Sequence, residues 1–212
     1  DMHGDGKFPG LDSNGGYAEA LLTSSRNLVA LPKTLAPKDV APYADAGLTA
    51  YRAAKKAAQV LLPDQTAVVI GAGGLGHIGV QVLRAMCAAR IIVVDISDVS
   101  LKLAGEGGAD HLVKADGDEV DAVLALTGGK GAEAVIDFVG EKGTTKKGLD
   151  MTRANGSYYI VGYGENINIP TVDLISTERN IIGNLVGTWA ELTELMALAD
   201  RGLVELATKH YK

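Results

Sequence analysis

Residues 67–79 read Ala-Val-Val-Ile-Gly-Ala-Gly-Gly-Leu-Gly-His-Ile-Gly, and this stretch decides the fold. Four apolar residues end abruptly in glycine, which is typical of a buried strand that meets a tight turn. After the glycines, apolar residues recur at helical spacing, at Leu75, Ile78, Val82 and Met86. The stretch therefore predicts a strand, a glycine turn and a helix in succession.

The glycines of this turn fit the G-x-G-x-x-G pattern of dinucleotide-binding domains. Gly71, Gly73 and Gly76 occupy its three glycine positions. A second apolar run, residues 91–94, ends in Asp95, nineteen residues after Gly76, where an acid that binds a ribose is expected. With a strand before it and a helix after it, the motif predicts a cofactor site. An ordinary α/β turn whose next strand ends in Asp is the alternative.

Each part of the motif has a physical reason. Gly71 allows the tight turn, Gly73 leaves the backbone open to a pyrophosphate, and Gly76 lets the helix approach the strand. The N–H groups at the start of the helix favour a phosphate. A 2′-phosphate beside Asp95 would meet a repulsion of roughly 1–4 kcal/mol at surface-like dielectric, so the motif favours NAD(H) over NADP(H). A methyltransferase is a weaker alternative, because the third glycine favours a dinucleotide.

Composition narrows the class of protein. The 212 residues carry a formal charge of −6 with no long basic block, which argues against nucleic acid and anionic membranes as partners. No apolar run approaches the ~20 residues of a membrane span, and the polar opening residues indicate no signal peptide. Cys87 is the only cysteine, so a cytoplasmic location without disulfides is expected, with Cys87 buried in the first helix of the motif.

The rest of the chain alternates between strand and helix patterns. This alternation predicts an α/β fold, a doubly wound parallel sheet of Rossmann type with the strand order 3-2-1-4-5-6. Two short strands are predicted before it, at 17–22 and 27–31, then prolines at 32 and 37 as a domain boundary and a helix over 38–60. Later strands are predicted at 111–113, 134–139, 157–161, 181–186 and 203–208, and helices at 98–106, capped by Asp98, 119–126, 144–151 and 191–200.

Several motifs resemble the medium-chain dehydrogenase/reductase superfamily, and within it the zinc-dependent alcohol dehydrogenases of bacterial type. They are Gly-Gly-Tyr-Ala-Glu at 15–19, Ala-Gly-Leu-Thr-Ala-Tyr at 46–51, the glycine turn at 71–76, Gly-Gly-Ala-Asp at 107–110, Asp-Phe-Val-Gly at 137–140 and Val-Gly-Thr at 186–188. The motifs cover most of the chain and follow one another in the order that the family has.

The resemblance implies the activity and the domain organisation. In that family a zinc ion acts as a Lewis acid on an alcohol, and hydride passes to a nicotinamide. Residues 1–35 are then a remnant of a GroES-like catalytic domain, 36–203 the NAD-binding domain, and 204–212 the start of a return to the catalytic domain. Because most of the catalytic domain is not in this sequence, we expect the chain alone to bind NAD but not to catalyse.

The resemblance also assigns a metal ligand and a catalytic residue. Asp45 stands where the family has its third zinc ligand, and carboxylate oxygen is an acceptable ligand for zinc in the intact protein. From the residues alone, Asp45 is a candidate N-cap of the helix that follows. Thr49 stands where the family's side chain touches the nicotinamide; a surface helix residue is the alternative.

Further cofactor contacts follow from the resemblance. Gly74 and Leu75 are expected to contact the pyrophosphate through their N–H groups, Val139 to lie near the adenosine, and Val161 and Leu185 to approach the nicotinamide, although each of the last three also fits a plain sheet residue. Ser100 takes the place of a basic residue that often follows the ribose acid, so the ribose loses one partner there. Among the histidines, His77 is expected to be structural, and His3 and His210 indicate nothing specific.

Other functions stay open on the sequence alone. A quinone-reductase-like enzyme transfers hydride without zinc, but such relatives usually prefer NADPH, against which Asp95 argues. A non-catalytic module that binds NAD(H) is the alternative outside enzymes. The resemblance to alcohol dehydrogenases implies a small alcohol, aldehyde or ketone as the substrate. It also implies a homo-oligomer through pairing of the sixth strand, whose residues 181–185 are mostly apolar.

Overall fold

The computed structural model describes residues 9–208. The first eight residues of the predicted opening loop, with His3, and the last four residues of the predicted return segment, with His210, lie outside the described residues. Across 9–208, none of the helices is both long enough and apolar enough to cross a lipid bilayer.

A parallel sheet is the centre of the fold. Its order within the described chain is β3-β2-β1-β4-β5-β6, which confirms the predicted topology. The strands are β1 (Thr66–Ile70), β2 (Arg90–Asp95), β3 (His111–Lys114), β4 (Ala132–Asp137), β5 (Thr152–Ile160) and β6 (Asn180–Gly183). Every recorded strand pair is parallel, and β1 lies between β2 and β4, so its C-terminal end is the middle of the sheet edge where ligands bind in such folds.

Helices cover both faces of the sheet. They are α1 (Pro37–Val40), α2 (Ala46–Ala58), α3 (Gly76–Met86), α4 (Asp98–Glu106), α5 (Glu119–Leu126), α6 (Thr144–Met151), α7 (Thr171–Thr177) and α8 (Trp189–Asp200). Val69 and Ala67 of β1 pack into the cluster that holds α2 and α3, whereas Val68 and Ile70 pack into the cluster that holds Met151 of α6. Alternate residues of one strand therefore serve two cores, which is why β1 is apolar from Ala67 to Ile70.

The two strands predicted before the boundary are wrong. Residues 17–22 and 27–31 have no strand geometry, and the regular structure there is a 3₁₀ turn at Ser25–Asn27. Tyr17 and Leu22 are fully exposed. A strand is stable only when its backbone groups pair with a neighbour, and no neighbouring strand pairs with these segments in the described chain.

The long helix predicted over 38–60 is interrupted. α1 ends at Val40, a 3₁₀ turn follows at Ala41–Ala44, and Asp45 has a non-helical backbone (φ −127°, ψ −73°) before α2 begins. Tyr43 fixes this break, because its ring is buried and its hydroxyl donates to the carbonyl oxygen of Val204 at 2.7 Å.

Differences elsewhere are smaller. α4 is capped by Ser97, whose hydroxyl accepts from Ser100 N–H, and Asp98 is its first helical residue instead of its cap. α3 ends at Met86, so Cys87 is a half-buried residue just after the helix. α7 was not predicted from the sequence.

The last predicted strands also differ from the structure. β6 ends at Gly183, before the predicted end at Val186, which has a positive φ of 39° that a strand does not allow. Residues 203–208 form no strand. Gln81 holds this segment instead: its side chain accepts from Glu205 N–H at 2.8 Å and donates to the Glu205 carbonyl at 2.9 Å.

Candidate functional site

The glycine turn between β1 and α3 is held by close packing at two of its three glycines. Gly71 has a φ of +83°, and a Cβ there would lie 2.6 Å from a methyl group of Val139. A Cβ on Gly76 would lie 1.8 Å from the carbonyl oxygen of Gly71. The turn and the start of α3 are therefore in backbone contact, which requires glycine at both positions.

The middle of the turn is open. A Cβ on Gly73 or Gly74 would meet no atom within 4 Å, and both residues are exposed. Leu75 precedes the helix, and no side chain caps the start of α3. Because packing inside the chain does not explain Gly73, its lack of a side chain is available for a ligand that approaches the backbone at the start of α3.

Asp95 lies beside this turn at the end of β2. Its Oδ2 accepts from Ala72 N–H at 2.6 Å, and its Oδ1 accepts from Ser97 N–H at 2.7 Å. The carboxylate thus ties the glycine turn to the segment that leads into α4. Each oxygen keeps a second lone pair for a ligand hydroxyl.

Three of the predicted site residues, Gly71, Asp95 and Val139, line one cavity of about 160 Å³. Its walls are mostly apolar, and Ile96, which is 74% exposed, forms part of them. One side is polar and carries Glu119, Thr144 and Lys147. None of Ile96, Glu119, Thr144 and Lys147 was singled out from the sequence; only Ile96 had a local signal, since it directly follows Asp95.

A buried carboxylate positions Val139, which lines the cavity. Asp137, at the end of β4, is 0% exposed; its Oδ1 accepts from the N–H groups of Val139 and Gly140 at 2.8 and 2.9 Å. Its Oδ2 accepts from the Tyr158 hydroxyl at 2.7 Å. Burial, together with the Asp137 charge, raises the pKa of Tyr158 far above its usual value, so the hydroxyl stays a donor. These bonds hold Val139 against the glycine turn.

Asp45 and Thr49 lie apart from this cavity. Asp45 is exposed, its side chain makes no capping bond, and only its carbonyl oxygen accepts from Thr49 N–H at 2.9 Å. The alternative of a side-chain N-cap is therefore wrong. In the described part of the chain, no three His, Cys, Asp or Glu residues come close enough to hold a metal ion, so these described residues do not make a zinc site by themselves.

The remaining predicted residues occupy separate places along the C-terminal edge. Val161 follows β5, is half-buried, and donates its N–H to the carbonyl oxygen of Asp137 at 2.9 Å. Leu185 lies beyond the end of β6 and is 56% exposed. Ser100 is half-buried in the first turn of α4, where its N–H donates to Ser97.

His77 has a structural role, as its position predicted. The ring is buried, with Nδ1 2.8 Å from the Gly73 carbonyl oxygen, while Ala207 N–H donates to Nε2 at 3.4 Å. Because a carbonyl oxygen only accepts, the proton is on Nδ1. The ring therefore joins the glycine turn to the segment before the C-terminus.

Comparison with known proteins agrees with this geometry. The family described as zinc-binding dehydrogenase matches residues 74–201. An NAD-dependent alcohol dehydrogenase of Sulfurisphaera tokodaii is 35% identical over 210 residues, which are 97% of this chain and 60% of that protein. The crystal structure of the alcohol dehydrogenase from Aeropyrum pernix has 44% identity and a TM-score of 0.95, over 100% of this chain and 63% of that one.

A more distant structure was solved with a cofactor. The acetophenone reductase from Geotrichum candidum, in complex with NAD, has 27% identity and a TM-score of 0.85, over 99% of this chain and 59% of that one. The chain thus spans about 60% of the length of the relatives it matches. Since the family match covers more than half of the chain, the chain belongs to the zinc-binding dehydrogenase family.

Proposed function

We propose that this chain is the NAD(H)-binding portion of an alcohol dehydrogenase. The observation that carries the proposal is the meeting of an open glycine turn, the Asp95 carboxylate and an apolar cavity at the C-terminal end of β1 and β2. This is where dinucleotides bind in doubly wound sheets. The whole set fits a dinucleotide better than a single phosphate, because it offers a place for a base, a ribose and a pyrophosphate in sequence.

The adenosine half has the better-supported assignment. The base fits the cavity, with Ile96 and Val139 on its walls. The ribose hydroxyls bind the free lone pairs of Asp95, with Ser100 near this end. The pyrophosphate lies over Gly73, Gly74, Leu75 and Gly76, where the start of α3 supplies N–H groups and a partial positive charge.

The nicotinamide half is assigned to the other side of the glycine turn. Val161 and Leu185 follow β5 and β6 on the same sheet edge. The N–H of Val161 is bonded to the Asp137 carbonyl oxygen, so the carbonyl oxygen of Val161 and the backbone of Leu185 are the groups assigned to the carboxamide. Thr49, half-buried on α2, contributes its hydroxyl to the nicotinamide side. These roles follow from the family resemblance and from their position at the sheet edge.

For the whole protein we propose the interconversion of small alcohols with aldehydes or ketones. Support comes from the relatives of similar sequence, which are named alcohol dehydrogenases. A zinc ion, when bound, supplies Lewis-acid activation of the alcohol. Asp45 is one candidate ligand, and further ligands have to come from outside the described residues. We therefore expect the chain alone to bind the cofactor without catalysing.

Titration with NADH and, separately, with NADPH tests the cofactor assignment. We expect saturable NADH binding, followed by nicotinamide fluorescence, and much weaker NADPH binding. Asp95→Ala removes the proposed ribose acceptor and the repulsion of a 2′-phosphate. The preference for NADH over NADPH should therefore become smaller. Asp121→Ala is the matched control, because it removes an exposed carboxylate on α5. Comparable NADPH binding by the unaltered chain would favour a zinc-independent reductase. If neither cofactor binds, the assignment of an NAD(H) site is wrong.

We also propose a division into domains that follows the sequence. Residues 36–203 are the NAD-binding domain, and residues 1–35 and 204–212 belong to a catalytic domain. The irregular segment 28–36, which contains Pro32 and ends before Pro37 opens α1, supports the first boundary. Limited proteolysis should cut first near these prolines, and a first cut inside the sheet would contradict the division. A cytoplasmic location is proposed from the single cysteine, and fractionation of the native cells tests it.

A homo-oligomer through β6 is the last part of the proposal. β6 is the outer strand of the sheet, and the neighbouring Val172 and Ile175 of α7 and Leu185 are largely exposed apolar residues. Asn184 N–H donates inward to the Ile160 carbonyl oxygen. Since donors alternate along a parallel strand, the N–H of Gly183 points outward and is available to a second copy.

A further inference from the structure

The polar side of the cavity contains a carboxylate that no part of the proposed function uses. Glu119, at the start of α5, is only 2% exposed, yet it lines the cavity. Its Oε1 pairs with Lys147 Nζ, and its Oε2 accepts from Gly117 N–H at 2.8 Å. Burial raises the pKa of Glu119, but hydrogen bonds from Lys147 and from the backbone outweigh that effect and hold it below its usual value. The group is therefore an acceptor without a proton.

A hydroxyl without a partner lies on the same side. Thr144 lines the cavity, and its Oγ1 is buried without a hydrogen-bond partner. Buried hydroxyls are normally satisfied, so an orphan in a cavity wall needs an explanation. The neighbouring N–H of Thr145 is already taken by Glu165, at 2.8 Å, which leaves the Thr144 hydroxyl as the group available to a ligand.

We propose that this polar side reads the edge of the adenine ring: Glu119 accepts from the 6-amino group, and the Thr144 hydroxyl donates to a ring nitrogen. The inference rests on the proposed binding of NAD(H) in this cavity. An acceptor-only carboxylate matches an amino group and opposes a carbonyl oxygen in the same place. The cavity then selects adenine over hypoxanthine, whose ring has an oxygen at position 6.

The direct test compares NADH with reduced nicotinamide hypoxanthine dinucleotide, which differs at position 6 of the base and at the protonation of the adjacent ring nitrogen. We expect the full chain to bind NADH about tenfold more tightly, which corresponds to about 1.4 kcal/mol. Glu119→Gln should bring the two affinities to within about threefold, because an amide can turn its N–H toward the oxygen. Glu106→Gln on α4 is the matched control and should keep the tenfold preference.

Thr144→Val gives a second, independent measurement if Glu119→Gln folds poorly. Removing an unpaired buried hydroxyl should keep or raise the melting temperature of the cofactor-free chain, whereas NADH affinity should fall about threefold. A purely structural hydroxyl would not combine these two effects. Thr193→Val, which removes an exposed hydroxyl of α8, should change neither.

Failure of this inference can be separated from failure of the proposed function. If neither dinucleotide binds, the proposed function itself is wrong. If both bind equally well and Asp95→Ala weakens both, the cavity takes the cofactor without reading the base, and the inference is overturned. It is also overturned if Glu119→Gln keeps the tenfold preference, or if Thr144→Val leaves NADH affinity unchanged.

Discussion

Two alanine substitutions in the glycine turn should differ in their effect on stability: Gly76→Ala should destabilise the chain, and Gly73→Ala should not. In Gly76→Ala, the new Cβ starts 1.8 Å from the carbonyl oxygen of Gly71 and has to move to at least 3.0 Å. The obstacle is backbone, so no side chain can rotate away. In Gly73→Ala, the new Cβ meets no atom within 4 Å, and the position has no left-handed φ.

The size of each effect follows from these distances. Overpacking costs typically about 1–3 kcal/mol and occasionally more. Moving Gly71 also strains its N–H bond to the Val94 carbonyl oxygen, which has a net worth of about 1 kcal/mol. The better helix propensity of alanine offsets at most about 1 kcal/mol. We expect Gly76→Ala to lose about 3 kcal/mol of unfolding free energy, or about 6–12 °C in melting temperature for a chain of this size.

Gly73→Ala should be neutral or slightly stabilising in the absence of cofactor, because alanine restricts the unfolded chain by about 0.4–1 kcal/mol. Its effect should appear in binding. A methyl group where the pyrophosphate approaches the backbone should weaken NADH by at least about tenfold, or about 1.4 kcal/mol.

Thermal and urea unfolding compare the stability of both variants with that of the unaltered chain. NADH titrations of the folded variants compare their cofactor affinities. A Gly76→Ala variant with the same melting temperature as the unaltered chain would refute the packing argument. Equal destabilisation by Gly73→Ala would show that the open position is structural, and unchanged NADH affinity in that variant would remove the pyrophosphate from this turn.

Three other predictions are tested by urea unfolding, by the pH dependence of stability and by sedimentation. Tyr158→Phe leaves Asp137 Oδ2 without its buried donor and should cost about 1.5–3 kcal/mol in urea unfolding; an unchanged midpoint would contradict it. The pKa of Glu119 is lowered in the folded chain, so its stabilisation is complete above the ordinary pKa of 4.5 and is lost as the pH falls through the folded value. Glu119→Gln should therefore flatten the acid limb of the stability curve, and an equally steep limb would argue against the Lys147 pair. Gly183→Pro removes an outward N–H of β6 and should shift sedimentation toward the monomer while NADH binding persists; an unaltered oligomer would point to another interface.

The sequence alone was enough for the sheet and the glycine turn. β1, β2 and β4 each contain a continuous apolar run, at 67–70, 91–94 and 134–136, because helices cover both faces of a parallel sheet, and that pattern is local. The turn carries its own signal at Gly76, whose contact with Gly71 lies five positions along the chain, whereas the contact that Gly71 makes with Val139 comes from a distant segment. The position of Asp95 at the end of β2 could be predicted because the distance from the turn to the end of the second strand is set by one helix and one strand.

Tertiary structure decided which apolar segments pair and which stay irregular. Residues 17–22 are mostly apolar, but strand formation depends on a distant neighbour that the local sequence cannot supply. Residues 203–208 have strand-like composition, yet Gln81 on α3 takes the backbone groups of Glu205. The break before α2 depends on Tyr43, whose partner Val204 lies 161 positions along the chain.

The polar side of the cavity also depended on the folded chain. Glu119 and Lys147 lie 28 positions apart, and each fits the pattern of an ordinary solvent-facing helix residue. They meet because α5 and α6 pack side by side on one face of the sheet. Sequence determined the six strands of the described sheet, the glycine turn and the acid that ends β2, because periodicity and spacing along the chain encode them. Only the packing of distant elements decided which polar groups line the cavity. Hydrogen bonds between side chains of separate helices leave no pattern in the local sequence.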